Sequence, residues 1–460
     1  MASVQFDLVV SGGEVVTPGG VRRADIGVRA GRIAALWEGE GPGSATREVD
    51  AAGLLVLPGV VDVHVHFCTF SHHVDALRDS FVSAAHGGVT TAIGFVLLSR
   101  SEMRPLEALR HFRAEGERDA VVDFAFHLHL PEGEAAIADV PAAVAEGTTS
   151  FKIFLTYAGR RASDEHLFRA MRAVAAAGGL LCVHCEDGGL IEALVAQQIA
   201  AGRVGPAEFL FAHPREAETL ATYKVIQMAR LSGCPVYILH ISTPEAAAQV
   251  QAARDRGQAV WAETCPQYLT LTNQAVLERG ALAKIGPPLR ESEDVEGLWA
   301  HLAAGRIHTV GSDHSPHTRE TKRPGERNIF DAWYGCAGTE TMLPVMYDEL
   351  VVRRGLPVTL LARLLAERPA KVFGLYPRKG AVEVGADADL VLFDPARAVT
   401  IRAADLHTKS DYTLFEGRQV RGWPRMTLRR GEVLLEGGAL AARPGSGRFM
   451  PRASGGAREA

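Results

Sequence analysis

The sequence predicts an α/β protein: a (β/α)8 TIM barrel carrying a small discontinuous β-sandwich domain built from the two ends of the chain. Three observations lead there. Between residues 58 and 378, eight short apolar runs alternate with alanine-rich segments of helical periodicity. Residues 1–57 and 379–440 have a different texture, short strands punctuated by glycine. At 460 residues, the chain exceeds the usual size of one compact domain, so a large barrel with a smaller companion fits its length.

Taken in order, residues 1–57 read as a small antiparallel sheet: Phe6-Asp-Leu-Val-Val-Ser, a turn at Gly12-Gly13, Ile26-Gly-Val-Arg and Arg32-Ile-Ala-Ala-Leu. The barrel strands fall near 60–67, 89–96, 121–130, 149–155, 179–184, 235–241, 257–263 and 308–312. Between them, Glu165–Ala177, Ala217–Leu231 and Pro244–Arg254 space their apolar residues as helices covering a sheet do. Parallel strands with helical crossovers close most simply as a barrel, whose chemistry sits at the C-terminal ends of the strands. Within 379–440, Gly380–Phe393 and Leu428–Gly438 return to strand and glycine and are expected to complete the small domain. Residues 441–460, rich in Gly, Ala, Arg and Ser, are expected to form a mobile or loosely docked tail.

Composition excludes several classes of function. Hydrophobic residues at 47% and charged residues at 22% rule out wholesale disorder. A net charge of −5 gives no reason to expect nucleic acid as a partner, and Arg418, Arg421, Arg425, Arg429 and Arg430 are expected on a solvated or subunit-contact face. No uninterrupted apolar run reaches the roughly 18 residues of a membrane span. The start, Met1-Ala-Ser-Val-Gln-Phe-Asp, has neither a basic leader nor an apolar core, and six cysteines are few for this length, so a cytoplasmic location is expected. Cys182-Val-His-Cys185 is formally C-x-x-C, but in a strand its two thiols face opposite sides, which favours buried thiols over a zinc ribbon or redox pair.

The site begins with Pro58–Phe67. Alternation in a strand puts Asp62, His64 and His66 on one face and Val61, Val63, Val65 and Phe67 on the other. Two imidazoles projecting side by side can grip a divalent metal. Scanning the C-terminal ends of the other strands adds Lys152 on the fourth, His184 on the fifth, His240 on the sixth and Asp313 after the eighth. Each alone would read as a core or edge residue; as a set at equivalent ends of one barrel they indicate a metal centre. Lys152 lies in an apolar strand, where an unpaired ammonium is costly and cannot ligate a metal. A deprotonated amine can instead add carbon dioxide, giving a carbamate (N6-carboxylysine) whose two oxygens can bridge two cations.

At this point the chain resembles the cyclic amidohydrolases of the amidohydrolase superfamily: dihydropyrimidinases, hydantoinases and allantoinases. The resemblance spans nearly the whole length and rests on Pro58–His66, Thr149–Tyr157, Val183–Glu186, Leu239–Ser242, Glu263–Leu269, Gly311–His317 and Pro369–Gly380. It implies that His64, His66 and Asp313 hold one divalent metal, that His184 and His240 hold a second, and that carboxylated Lys152 bridges them. Zinc is the expected metal, because imidazoles dominate the set, while carboxylate and carbamate oxygens also admit manganese, iron or cobalt. It further implies a hydroxide shared by the metals, attacking the amide carbon of a small cyclic substrate, with Asp313 shuttling the proton to the ring nitrogen. Tyr157 would donate to the developing oxyanion. Backbone groups near Gly286 and from Tyr334 to Gly338 would hold the ring amide, although hydantoinases often carry serine where this chain has Gly286. A homotetramer or homodimer is expected on the same ground.

Other residues stay open. His127 and His129 form a second H-x-H on the third strand, with a core or supporting role expected. His72 and His73 lie in the loop after the first strand, as pocket or solvent residues, and His314 and His317 flank Asp313 as orienting, pocket-lining or packing residues. Asp62 is expected to orient a ligand. Dihydroorotases place an arginine just after the first histidine pair, and this chain has Phe67-Cys-Thr-Phe-Ser there, which favours a neutral ring. Gly335–Pro344 resembles allantoinases, whereas Tyr157 and Glu263–Leu269 resemble hydantoinases and dihydropyrimidinases. Scaffold proteins of the same fold have lost catalytic ligands; all six positions are filled here.

Overall fold

The computed structural model describes residues 4–41, 43–69, 74–98 and 103–455. His72, His73 and the side chain of Cys68 lie outside the described residues. Eight parallel strands, Val60–Thr69, Val89–Leu97, Asp123–His129, Ser150–Phe154, Leu180–His184, Val236–Ile238, Val260–Thr264 and Thr309–Val310, lie side by side in chain order. They are buried on both faces, which is why they read as unbroken apolar runs. Val61, Val63, Ile93, Phe95, Tyr237 and Trp261 pack together in one cluster, while Val65, Phe81, Phe151 and Val225 belong to the larger cluster that joins strands to helices. The helices Asp164–Ala176, Arg215–Ser232 and Pro244–Asp255 fall where the periodicity puts them. Ser163 caps the first, its hydroxyl accepting from His166 N at 3.1 Å. The cylinder closes where Val65 and His314 bridge in parallel: His66 N donates to His314 O at 2.8 Å and His314 N to His64 O at 3.3 Å.

The ends of the chain form two further sheets. One has the order Arg32–Trp37, Asp25–Arg29, Val4–Ser11, Gly43–Asp50; the other brings Leu390–Thr400 and Gln419–Arg429 beside Leu55–Pro58 and Glu14–Thr17. Leu8, Val10, Ile26 and Val28 of the first share a core with Val15, Val56, Leu390 and Leu428 of the second, which makes the pair a sandwich. The N-terminal segment is thus not the single antiparallel sheet expected. Its strands are divided between both sheets, and Val4–Ser11 runs parallel to Gly43–Asp50, as Glu14–Thr17 does to Leu55–Pro58. Strand texture is local, whereas the choice of partner depends on where residues from opposite ends of the chain meet.

Two other expectations are corrected. Residues 441–455 do not form a mobile tail: Phe124 N donates to Arg448 O at 2.9 Å, Met450 N donates to Phe124 O at 2.7 Å, and the buried Arg452 donates to Ser150 Oγ at 2.7 Å and to the Phe126 carbonyl. The segment covers backbone groups and inner apolar side chains that strands three and four leave open. Arg429 and Arg430 do not face solvent or a subunit either. Arg429 is buried and Arg430 pairs with Asp123, the first residue of the third barrel strand.

Beside them, Lys379 Nζ lies 2.6 Å from Asp123, 2.7 Å from Asp389 and 3.0 Å from Asp387, all buried. This ionic cluster fastens the sandwich to the barrel. Because removing one partner strands the others in low dielectric, Lys379→Ala is expected to destabilise the fold by roughly 3–5 kcal/mol, read as a lowered denaturation midpoint; an unchanged midpoint would contradict the clamp.

Candidate active site

The residues singled out in the sequence meet at the C-terminal end of the barrel. His64 Nε2 and His66 Nε2 each lie 3.0 Å from Asp313 Oδ1, and the three side chains can offer one donor atom apiece within 4.8 Å of one another. The rings of His184 and His240 are 4.4 Å apart, and those of His64 and His240 are 5.3 Å apart, so the four imidazoles are contiguous. Lys152 is completely buried, its ammonium 4.4 Å above the Phe154 ring and 4.9 Å above Phe95, with no hydrogen-bond partner on Nζ. Burial pushes its amine down to about 8, which makes the neutral, nucleophilic form accessible.

Carboxylates behind the histidines fix which nitrogen faces inward. His64 Nδ1 donates to Glu263 Oε1 at 2.5 Å, and His184 Nε2 donates to Glu186 Oε2 at 2.7 Å, leaving His64 Nε2 and His184 Nδ1 with free lone pairs. Glu263 also accepts from Tyr237 Oη at 2.8 Å and from His240 N at 3.1 Å. Neither Glu263 nor Glu186 was given a role by sequence reasoning, although both lie within quoted motifs. The signal was the alternation that puts Glu263 on the inward face of its strand. Asp62 orients backbone rather than an imidazole. Its carboxylate accepts from His64 N at 3.2 Å, from Ser312 N at 3.1 Å and from Thr339 Oγ1 at 2.8 Å.

The other histidines separate by environment. His127 Nε2 donates to Val63 O at 3.0 Å and Nδ1 lies 2.6 Å from Ser150 Oγ, a satisfied core residue. His129 is buried in register with Lys152, and neither ring nitrogen has a hydrogen-bond partner. His314 accepts from Gly338 N at 3.1 Å and packs the loop, while His317 lines the cavity and donates to Tyr334 O at 3.1 Å. Away from this site, His86, Glu340 and His407 also cluster. There the two rings stack 3.3 Å apart at 16°, so their in-plane lone pairs run parallel instead of converging on an ion.

A cavity of about 580 Å³ opens over this centre, lined by His66, Lys152, Tyr157, His184, His240, Gly286, Asp313 and Tyr334, among others. Burial holds the Tyr157 phenol well above its ordinary value, so it is a proton donor at neutral pH. A Cβ at position 286 would collide with the Tyr157 hydroxyl, so glycine is what admits that hydroxyl here. Tyr157, His240 and Asp313 take left-handed backbone, with φ of 70°, 37° and 51°.

The donor set fits a resident cation. Burial and neighbouring charge pull the His66 imidazole down to about 4 and hold His184 and His240 well below their ordinary value, giving neutral nitrogen ligands. Burial also opposes charge on His64, yet Glu263 and Asp313 bring it up to about 9, a demand for positive charge that a metal would meet in place of the proton. Glu263→Gln is expected to weaken metal affinity by about 10- to 100-fold, as measured by competition with a chelator. Unchanged affinity would remove Glu263 from the site's support.

The sequence profile of the Amidohydrolase family matches residues 55–434. A D-hydantoinase from Ralstonia pickettii is 34% identical over 97% of this chain and 99% of that protein, and an allantoinase from Rubrobacter xylanophilus is 37% identical over 97% of each. Among solved structures, the dihydropyrimidinase from Brevibacillus agri superposes with a TM-score of 0.92 at 31% identity, over 97% of this chain and 98% of that one. The family is metal-dependent, in keeping with the candidate metal-binding group found here. The chain therefore belongs to the amidohydrolase family, among the cyclic amidohydrolases that include hydantoinases, dihydropyrimidinases and allantoinases.

Proposed function

We propose that the protein is a hydrolase that opens a hydantoin or dihydropyrimidine ring to an N-carbamoyl amino acid. One observation carries this reading: four imidazoles, a buried unpartnered lysine and an aspartate converge on a cavity that also presents a protonated tyrosine. His64, His66 and Asp313 would hold one divalent ion and His184 and His240 another, with carboxylated Lys152 between them; zinc suits this imidazole-rich set. When bound, such a pair acidifies water and polarises a substrate carbonyl.

The chain's own residues supply the rest. Asp313, ionised beside His64 and His66, accepts a proton from the attacking water and delivers it to the ring nitrogen as the C–N bond breaks. The Tyr157 hydroxyl donates to the carbonyl oxygen as charge develops there. Gly286 and Tyr334 border the cavity where backbone groups can hold the ring amide, and the Tyr334 hydroxyl is fixed by His213 Nε2 at 3.0 Å. Buried, free Cys182, Cys185, Cys234, Cys265 and Cys336 accord with a cytoplasmic enzyme, and no helix among the described residues is long and apolar enough to cross a membrane. A homotetramer or homodimer is proposed from the family resemblance.

Allantoinase is the second reading, favoured by the 37% identity to the Rubrobacter xylanophilus allantoinase. Assaying the metal-replete protein against hydantoin, 5-substituted hydantoins, dihydrouracil, allantoin, dihydroorotate and cyclic imides separates the readings; no ring opening in any of them refutes both. Lys152→Ala is expected to lose metal and activity together, and full activity in that variant would rule out the bridge. Tyr157→Phe is expected to lower kcat by about 10²- to 10³-fold, whereas wild-type turnover would leave Tyr157 a packing residue.

A further inference from the structure

The wall of the cavity is uneven in a way that ring opening does not use. Leu97, Phe154, Ile191, Val195 and Ile199 are the apolar part of its lining. Arg160 lines the same cavity. It follows Tyr157 around a tight turn in which the amides of Arg160 and Arg161 both donate to Tyr157 O at 3.0 Å, so the position of Arg160 is tied to that of the tyrosine. None of the cavity's carboxylates pairs with it: Asp313 faces His64 and His66, Glu192 is engaged by Arg161 at 3.3 Å, and Asp331 makes no ion pair with it among the described residues. A half-buried guanidinium lining the same cavity as these apolar residues, with no anion paired to it among the described residues, is a receptor for one. Its planar fork matches a carboxylate, and the low dielectric beside the wall strengthens that attraction.

We propose that Arg160 determines substrate choice, selecting cyclic amides whose exocyclic side chain crosses the apolar wall and ends in a carboxylate. The proposal rests on reading this cavity as the site of ring opening. It supplies, from the loop after the fourth strand, the cation that the segment after the first histidine pair lacks. Among the described residues no hydrogen bond or ion pair joins Arg160 to His64, His66, Lys152, His184, His240 or Asp313, so the anion is assigned to a side chain and not to the ring itself.

The test compares kcat/KM for hydantoins bearing at carbon 5 a carboxyalkyl chain, the corresponding primary amide, an alkyl chain of equal length, or the ureido group of allantoin. The metal-replete wild type is assayed beside R160Q and R160K. In the wild type, the carboxylate is expected to exceed the amide by about 10- to 100-fold. R160Q brings that ratio close to one, mainly through KM for the carboxylate, while R160K retains part of it. A wild-type ratio near one, a preference for the ureido or alkyl compound, or a ratio unchanged in R160Q overturns the proposal. Calorimetric binding of the carboxyalkyl hydantoin separates this from the activity itself. If nothing is hydrolysed, the ring-opening reading fails, and tighter binding to wild type than to R160Q still supports Arg160, while equal binding overturns it.

Discussion

The site depends on one buried carboxylate. Asp62 gathers the amides of His64 and Ser312 and the hydroxyl of Thr339, and in doing so it joins the first barrel strand to the segment that follows the eighth. The backbone bonds between His66 and His314 and between His314 and His64 finish the seam. Because the histidine pair and Asp313 lie on opposite sides of that seam, closing the barrel and assembling the site are one event. A carboxylate wholly removed from water is costly unless its oxygens are filled, and here backbone and hydroxyl donors fill them.

Strain is concentrated at the same end. Tyr157, His240 and Asp313 hold left-handed backbone that non-glycine residues avoid, at a cost on the order of 1–3 kcal/mol each. Each of them lines the cavity from two or three residues beyond the end of its strand. Glu263 offsets part of that cost by gripping both the His240 amide and the His64 ring. Charge is organised in the same way, with His64 drawn towards the cationic form while its neighbours stay neutral. The two ends of the barrel thus divide their tasks. The Lys379 and Asp123 cluster and the docked residues 447–452 hold the N-terminal end, and the strained loops at the C-terminal end carry the candidate site.

The sequence by itself determined the eight strands and the positions of His64, His66, Lys152, His184, His240 and Asp313. Period-two alternation and strand-end position are local properties, but the first strand breaks its alternation at a register shift between Asp62 and Val65, so that Val61 and Val63 pack with Phe95, the ring against which His64 and His66 also lie. The tertiary structure alone decided what depends on register between distant segments. Glu263 becomes a support only when the closed barrel brings His64 to it, and Gly286 matters only because the Tyr157 hydroxyl fills its missing side chain; Glu186, two residues beyond the His184 it holds, is the local exception. Arg429 reads as a surface cation until Asp123 is seen beneath it, and residues 441–455 read as loose until their bonds to the third and fourth strands are counted. Composition cannot reveal the long-range pairings, because His64 with Glu263, Gly286 with Tyr157 and Arg429 with Asp123 are contacts between residues more than a hundred positions apart, selected by the closed shape of the barrel and not by either residue's neighbours in the chain.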